Sequence, residues 1–173
     1  CLLFDYRGYG RSDGSPSEEG CYQDAVAAFD WLTQQKQIPA ESIVSFGRSL
    51  GGAVALELAL RRPCRGLVIE SSFTSVADMG KRILPFLPIR ILLRYHFDSI
   101  GKIKSLAVPV LVTHSPDDET VPYEMGEALH KAAPDPKRFC ELSGGHNDRE
   151  YFADPAYHRA LDWVTRRQAH NKE

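Results

Sequence analysis

Short apolar runs alternate along this chain with longer segments in which apolar residues recur every three or four positions. The runs predict five strands, at residues 1–5, 42–47, 65–71, 109–114 and 137–142. Because they lack polar alternation, we expect strands covered on both faces. Helices are predicted at residues 17–37, 50–61, 123–132 and 156–167. This alternation predicts an α/β fold, a doubly wound and mostly parallel sheet with helices on both faces.

The first predicted strand, CLLFD, opens the chain, and a glycine-rich turn follows it at residues 8–14. A central parallel strand needs a neighbour on each side, and half of those neighbours are not in this sequence. We therefore expect the sheet to lack its N-terminal strands. Residues 1–173 alone should consequently be poorly soluble, because an unpaired apolar edge invites aggregation.

One segment, residues 75–107, interrupts the alternation within what is otherwise predicted to be a single domain spanning residues 1–173. Two interpretations stay open: an ordinary crossover helix with an irregular end, or a small cap folded over the mouth of a pocket. If it is a cap, Phe86 and Leu87 are candidates to bind an apolar substrate chain.

Composition narrows the class of protein. With 43% hydrophobic and 25% charged residues and a net charge of −2, the chain has no basic patch that would favour nucleic acid. Its four cysteines form no CxxC pair, so we expect reduced thiols, no metal site and a cytoplasmic protein. The longest apolar stretch, ILPFLPIRILL, is too short and interrupted to span a bilayer. A membrane anchor upstream of Cys1 remains the alternative.

The pentapeptide GRSLG at residues 47–51 carries the clearest candidate chemistry. It matches G-x-S-x-G between a predicted strand and a predicted helix, which is the context of a nucleophile elbow. Glycines two residues to either side of Ser49 would let the strand and the helix approach closely, and Gly52 would let the helix pack. Ser49 is the candidate nucleophile, and the backbone N–H of Leu50, at the start of the helix, is a candidate oxyanion donor.

A serine nucleophile needs a base and a carboxylate to orient that base. Of six histidines, His146 lies on a glycine-rich loop directly after a predicted strand, at the sheet edge expected for Ser49. Asp117 and Asp118 follow another strand. Two adjacent acids cannot both face one imidazole, so these residues leave the choice between them open.

Five motifs in order, DYRGYGRSDG, FGRSLGGAVA, ESSFTS, HSPDDETVP and GGHND, resemble the alpha/beta hydrolase superfamily. They are most similar to the alpha/beta hydrolase domain-containing serine hydrolases, where the fourth motif reads H-G-x-x-D-x-x-V-P. The resemblance implies Asp118 as the acid and His114 as a structural residue of the turn. It also implies a second oxyanion donor, on a His-Gly loop that this chain does not contain. Asp5 and Arg7 would hold the loop beside the elbow.

The sequence thus predicts a serine hydrolase that cleaves carboxylic esters or thioesters of small or lipid-like acyl groups. Ser49, His146 and Asp118 would form its triad, and it would need no cofactor and no metal. Two alternatives stay open: a serine peptidase of the prolyl-oligopeptidase kind, and a catalytically silent interaction module with the same fold. The acyl substrate, the oligomeric state and any protein partner are not specified by these patterns.

Overall fold

The computed structural model of the protein describes residues 1–83 and 94–166. In these ranges four strands form one parallel sheet in the order β1-β2-β3-β4, which is also their order along the chain. The strands are β1 Val44–Arg48, β2 Gly66–Glu70, β3 Val110–His114 and β4 Lys137–Glu141. Each of these strands overlaps a run for which a strand was predicted, so that part of the prediction is confirmed.

The described part of the chain has six α-helices around the sheet: α1 Glu18–Asp30, α2 Leu50–Arg61, α3 Val76–Ile83, α4 Ser99–Lys102, α5 Tyr123–Ala132 and α6 Pro155–Thr165. A π-helical turn, Trp31–Gln35, extends α1. Side chains mark several boundaries: the Ser17 hydroxyl accepts from the Gly20 N–H at the start of α1, and the Asp154 carboxylate accepts from the Ala156 N–H at the start of α6. None of the helices in the described ranges is long and apolar enough to cross a membrane.

Side chains of alternate residues in the two central strands, β2 and β3, pack into hydrophobic cores on opposite faces of the sheet. Leu67 and Ile69 of β2 pack on one face, in a cluster that takes residues from α1, α2 and α5. Val68 points to the other face and packs with Ala160 and Val164 of α6. Every residue of β2 and β3 is buried, which explains their unbroken apolar runs. The doubly wound α/β fold is therefore confirmed.

The prediction of a strand at residues 1–5 is wrong for this structure. These residues are exposed, belong to no strand and do not pair with the free edge of β1. Leu3 is 88% exposed, and Phe4 contacts the Tyr6 ring edge-on. An extended run becomes a strand only when a neighbouring strand satisfies its N–H and C=O groups, and no described strand lies beside this one.

Candidate active site

Ser49 sits in a left-handed backbone conformation between β1 and α2, with φ 52° and ψ −123°. Such a conformation costs a residue with a side chain about 1–3 kcal/mol and persists only when its surroundings impose it. Here the Ser49 N–H donates to the Glu70 carbonyl at 2.9 Å, and the Ser49 carbonyl accepts from the Ser72 hydroxyl at 2.7 Å. Although Ser49 occupies the N-cap position of α2, its side chain makes no capping hydrogen bond. The hydroxyl is thus not used to start the helix.

Two of the three elbow glycines are required by close contacts. A Cβ at Gly47 would collide with the carbonyl oxygen of Gly51, and a Cβ at Gly52 would lie 2.6 Å from the Ser72 side chain. The expectation for Gly51 is wrong, because the nearest atom to an added Cβ is the Tyr6 hydroxyl at 3.8 Å. The strand and the helix approach each other at the first glycine of the motif, and the second has room for a methyl group.

Leu50 is the first residue of α2, so its N–H has no acceptor four residues back inside the helix. It lies next to Ser49 at the positive end of a helix of 12 residues. The Leu50 side chain is exposed. This placement suits the N–H to donate a hydrogen bond to the carbonyl oxygen of a group that Ser49 attacks, where negative charge develops.

Asp118 and His146 form a buried pair beyond the ends of β3 and β4. The His146 Nδ1 atom lies 2.7 Å from Oδ2 of Asp118. The other carboxylate oxygen, Oδ1, accepts the N–H groups of Thr120 at 2.9 Å and Val121 at 2.7 Å. Because an ionised carboxylate can only accept, the proton of this pair lies on Nδ1, which leaves Nε2 of His146 free to act as a base.

The His146 loop is held by its own acidic neighbours. The Glu119 carboxylate accepts the His146 backbone N–H at 2.9 Å, and this hydrogen bond lowers the pKa of Glu119. The Asp148 carboxylate accepts the Gly145 N–H at 2.8 Å. Gly144 has φ 86°, a conformation that favours glycine. These contacts set the backbone that presents the imidazole.

Asp117 takes no part in this pair: its side chain is exposed, and its N–H donates to the Ser115 hydroxyl at 3.1 Å. Ser115 stands where the resembled family has glycine, and its hydroxyl stabilises the turn. The carboxylate that contacts His146 is therefore the second of the two adjacent acids.

Ser49, Asp118 and His146 all lie past the carboxyl ends of parallel strands, and those ends share one edge of a sheet. The hydrogen bonds of the described residues include none between the Ser49 hydroxyl and His146. In a free enzyme such contacts are often long and shorten only when substrate binds. Nor do residues 1–83 and 94–166 contain a group of three histidine, cysteine, aspartate or glutamate side chains able to hold a metal ion.

The remaining predicted residues have separate places. Arg7 forms an ion pair with Asp24 of α1, at 2.7 Å, and the Asp5 side chain accepts the Arg11 N–H at 3.2 Å, so both hold the glycine-rich loop. Phe86 and Leu87 lie outside the described residues, and the cap therefore stays a prediction.

Sequence reasoning missed a buried carboxyl group behind the elbow. Glu70, 1% exposed at the end of β2, accepts hydrogen bonds from the Tyr151 hydroxyl at 2.8 Å and the Tyr157 hydroxyl at 2.7 Å. Its Oε1 atom lies 3.6 Å from the guanidinium of Arg48, the residue before Ser49. Burial, followed by the hydrogen bond to Glu70, raises the pKa of Tyr151 to about 12. The sequence signal that could have found this group is a glutamate at the end of an otherwise apolar strand.

Known proteins resemble this chain in sequence and in structure. The profile of the alpha/beta hydrolase fold family matches residues 1–90. An uncharacterized protein of Mycobacterium tuberculosis is 49% identical over 150 residues, which cover 86% of this chain and 53% of that protein. The alpha/beta hydrolase domain-containing protein WAV2 of Arabidopsis thaliana is 37% identical, over 76% of this chain and 48% of that protein. The chain thus spans about half the length of these relatives.

Among solved structures, an alpha-beta hydrolase from Vibrio vulnificus superposes with a TM-score of 0.71 at 25% identity. The match covers 92% of this chain and 60% of that one. The parallel sheet and its flanking helices are therefore shared with a known hydrolase fold over nearly the whole chain.

Proposed function

This chain belongs to the alpha/beta hydrolase fold family, and from that premise we propose that it is a serine hydrolase acting on carboxylic esters or thioesters. The substrates would be small molecules with a short or lipid-like acyl group. The reaction proceeds through an acyl-enzyme on Ser49, with His146 as the base and Asp118 as the orienting acid.

The chemistry follows from the protonation of the buried pair. The Nε2 atom of His146 removes the proton of the Ser49 hydroxyl as its oxygen attacks the carbonyl carbon. The imidazolium that forms is stabilised by the Asp118 carboxylate, 2.7 Å from Nδ1. The Leu50 N–H donates to the oxyanion of the tetrahedral intermediate. His146 then protonates the leaving group, and the same steps with water release the acid and restore Ser49.

One observation carries this proposal: Ser49 is held at φ 52° with its hydroxyl free of any capping role, on the sheet edge that also presents the buried Asp118–His146 pair. A serine that only started a helix would have ordinary N-cap dihedrals and a hydroxyl bonded to the first turn. Backbone strain at a residue whose side chain makes no capping hydrogen bond points to function.

Labelling with a fluorophosphonate probe tests the proposal, because the probe bonds to an activated serine. We expect wild-type protein to be labelled at Ser49, and Ser49→Ala to lose the label. Ser15→Ala removes an exposed hydroxyl from the surface and should label like wild type. Persistent labelling of Ser49→Ala, or none in folded wild-type protein, would contradict the proposed nucleophile.

Turnover of matched acyl esters, acyl thioesters and aminoacyl amides tests the substrate class. We expect measurable turnover of esters and thioesters and little of the amides, which have a poorer leaving group. A preference for aminoacyl amides would instead indicate a peptidase. Labelling without turnover of any of the three series would overturn the assigned class while leaving Ser49 as the nucleophile.

A further inference from the structure

We propose that His114, a second imidazole beside Asp118, is a positioning residue that sets the orientation of the Asp118 carboxylate. This inference rests on the proposed function, since it concerns the acid of the same triad. It goes beyond the structural role in a turn that the family resemblance implies for this histidine.

His114 contacts Asp118 both directly and through the backbone. Its Nε2 atom lies 3.4 Å from Oδ2 of Asp118, the oxygen that His146 also contacts. The same Nε2 atom lies 2.9 Å from the carbonyl oxygen of Val121, whose own N–H donates to Oδ1 of Asp118 at 2.7 Å. His114 therefore stabilises the turn whose Val121 N–H binds Oδ1 of Asp118. Its own Nε2–H group lies beside Oδ2 of the same carboxylate.

The protonation of His114 follows from its surroundings. A carbonyl oxygen can only accept, so Nε2 carries the proton in the hydrogen bond to Val121. The side chain is fully buried, and burial lowers the pKa of His114. The imidazole is thus neutral near pH 7. Its Nε2–H group therefore carries only a partial positive charge beside Asp118.

Placing an imidazole here has two structural costs. The Nδ1 atom of His114 is buried and has no hydrogen-bond partner in the described part of the chain. Gly126, inside helix α5, is needed as well, because a Cβ there would collide with Nδ1 and lie 2.8 Å from the Cβ of His114. Glycine weakens a helix interior, and a buried polar atom without a partner destabilises a fold. An apolar residue would still require Gly126, because its Cβ would lie as close, but it would leave no buried polar atom without a partner. The donor at Nε2 is therefore the feature that distinguishes histidine here.

Among the described residues, Tyr123 and Glu119 are further titratable groups near His114 and Asp118. Tyr123 of α5 contacts the His114 ring edge-on, with centroids 6.0 Å apart, and its hydroxyl donates to Glu141 of β4 at 2.8 Å. Glu119 is bonded to the His146 backbone. Removing the His114 N–H should free the Val121 carbonyl and loosen the turn whose N–H groups hold Oδ1 of Asp118. A less constrained carboxylate holds the His146 imidazole less well, so the hydrogen bond between Asp118 and Nδ1 of His146 should change.

The test compares two substitutions at His114 that differ in where they place an amide. The amide nitrogen of glutamine can reach the position of Nε2, whereas that of asparagine lies near Nδ1. We expect H114N to slow fluorophosphonate labelling of Ser49 by about tenfold, the upper scale of one hydrogen bond between neutral groups. Its pH–rate profile should also change, because that profile reports on the Asp118–His146 pair. H114Q should stay within about threefold of wild type, since it keeps the donor.

The control is H130Q, which changes a histidine of the same helix as Gly126 that packs on Phe139 and has no contact with Asp118. It should leave both the rate and the pH profile unchanged. G126A, which pushes on His114 without removing its donor, should shift them in the direction of H114N and serves where H114N does not fold. Circular dichroism and urea unfolding verify folding of each variant.

A second readout does not depend on activity. The proton NMR resonance of His146 Nδ1–H reports its hydrogen bond to Asp118, and we expect it to move in H114N and to be preserved in H114Q. Equal rates and pH profiles for folded H114N and wild type would overturn the proposal. So would equal slowing of H114N and H114Q with an unmoved Nδ1–H resonance, since that result describes a packing role only. Wild-type protein that is not labelled would defeat the proposed function, while the resonance would still decide the role of His114.

Discussion

At the scale of single residues, hydrogen-bond geometry distinguishes two acids that are adjacent in the chain. Asp118 is buried and has both carboxylate oxygens engaged, one by His146 and one by two backbone N–H groups. Asp117 points to solvent. Only the first can hold the imidazole in the tautomer that leaves Nε2 as a base.

This difference predicts unequal effects of the same chemical change. Asp118→Asn would place an amide against Nδ1 of His146 and favour the wrong tautomer, so we expect ester turnover to fall by about 10⁴-fold with little change in folding. Asp117→Asn is the matched control and should retain wild-type kcat. Similar losses in the two variants, measured by steady-state kinetics, would show that the buried pair does not orient the base.

At the scale of elements, the junction of β1 and α2 depends on one glycine. The Gly47 Cα faces the Gly51 carbonyl so closely that no side chain fits between the strand and the helix. The strained Ser49 lies inside this junction. The conformation of the candidate nucleophile is therefore a consequence of how tightly two elements pack.

Alanine at the two ends of the motif should have opposite effects on stability. Gly47→Ala forces the strand and the helix apart, and we expect the free energy of unfolding to fall by about 1–3 kcal/mol, as in overpacked cores. Gly51→Ala adds a methyl group at ordinary van der Waals distance from the Tyr6 hydroxyl, in the first turn of α2, where alanine favours helix by up to about 1 kcal/mol. Urea unfolding measures both. Equal destabilisation by the two changes would show that the space beside Gly51 is needed after all.

At the scale of the whole molecule, the Glu70 carboxyl group ties the centre of the sheet to the segment that follows the His146 loop. Tyr151 precedes α6 and Tyr157 lies within it, and both hydroxyls converge on this one side chain. Arg48, beside the nucleophile, approaches from β1. Through Glu70, the network thus links the turn that carries Ser49 to α6, which packs on the face of the sheet opposite to α2.

Removing one hydroxyl from this network should destabilise the entire domain. In Tyr157→Phe, the Oε2 atom of Glu70 loses its hydrogen bond in a buried site, and we expect a loss of about 1–3 kcal/mol in the free energy of unfolding. Tyr9→Phe is the control, because the Tyr9 ring is 57% exposed. Matching urea midpoints for the two variants would argue that the network contributes nothing to stability.

The sequence by itself determined the features that depend on neighbouring residues. Apolar runs and helical periodicity located β1 to β4 and the ends of α2 and α5, because burial on both faces imposes a pattern that is legible along the chain. The elbow could also be predicted from neighbouring residues, since a tight strand-to-helix turn needs glycine within two residues of Ser49. The family resemblance supplied Asp118 as the candidate acid.

Only the tertiary structure decided what depends on residues that are distant in the chain. Residues 1–5 have the composition of a strand but remain unpaired, since pairing requires a neighbour that no local pattern can supply. The family resemblance implied Asp118, but its contact with His146 exists because the loops after β3 and β4 meet in space. The same holds for Glu70 and for His114, whose partners come from other elements or from across a turn, so their roles are fixed by contacts that periodicity and composition do not encode.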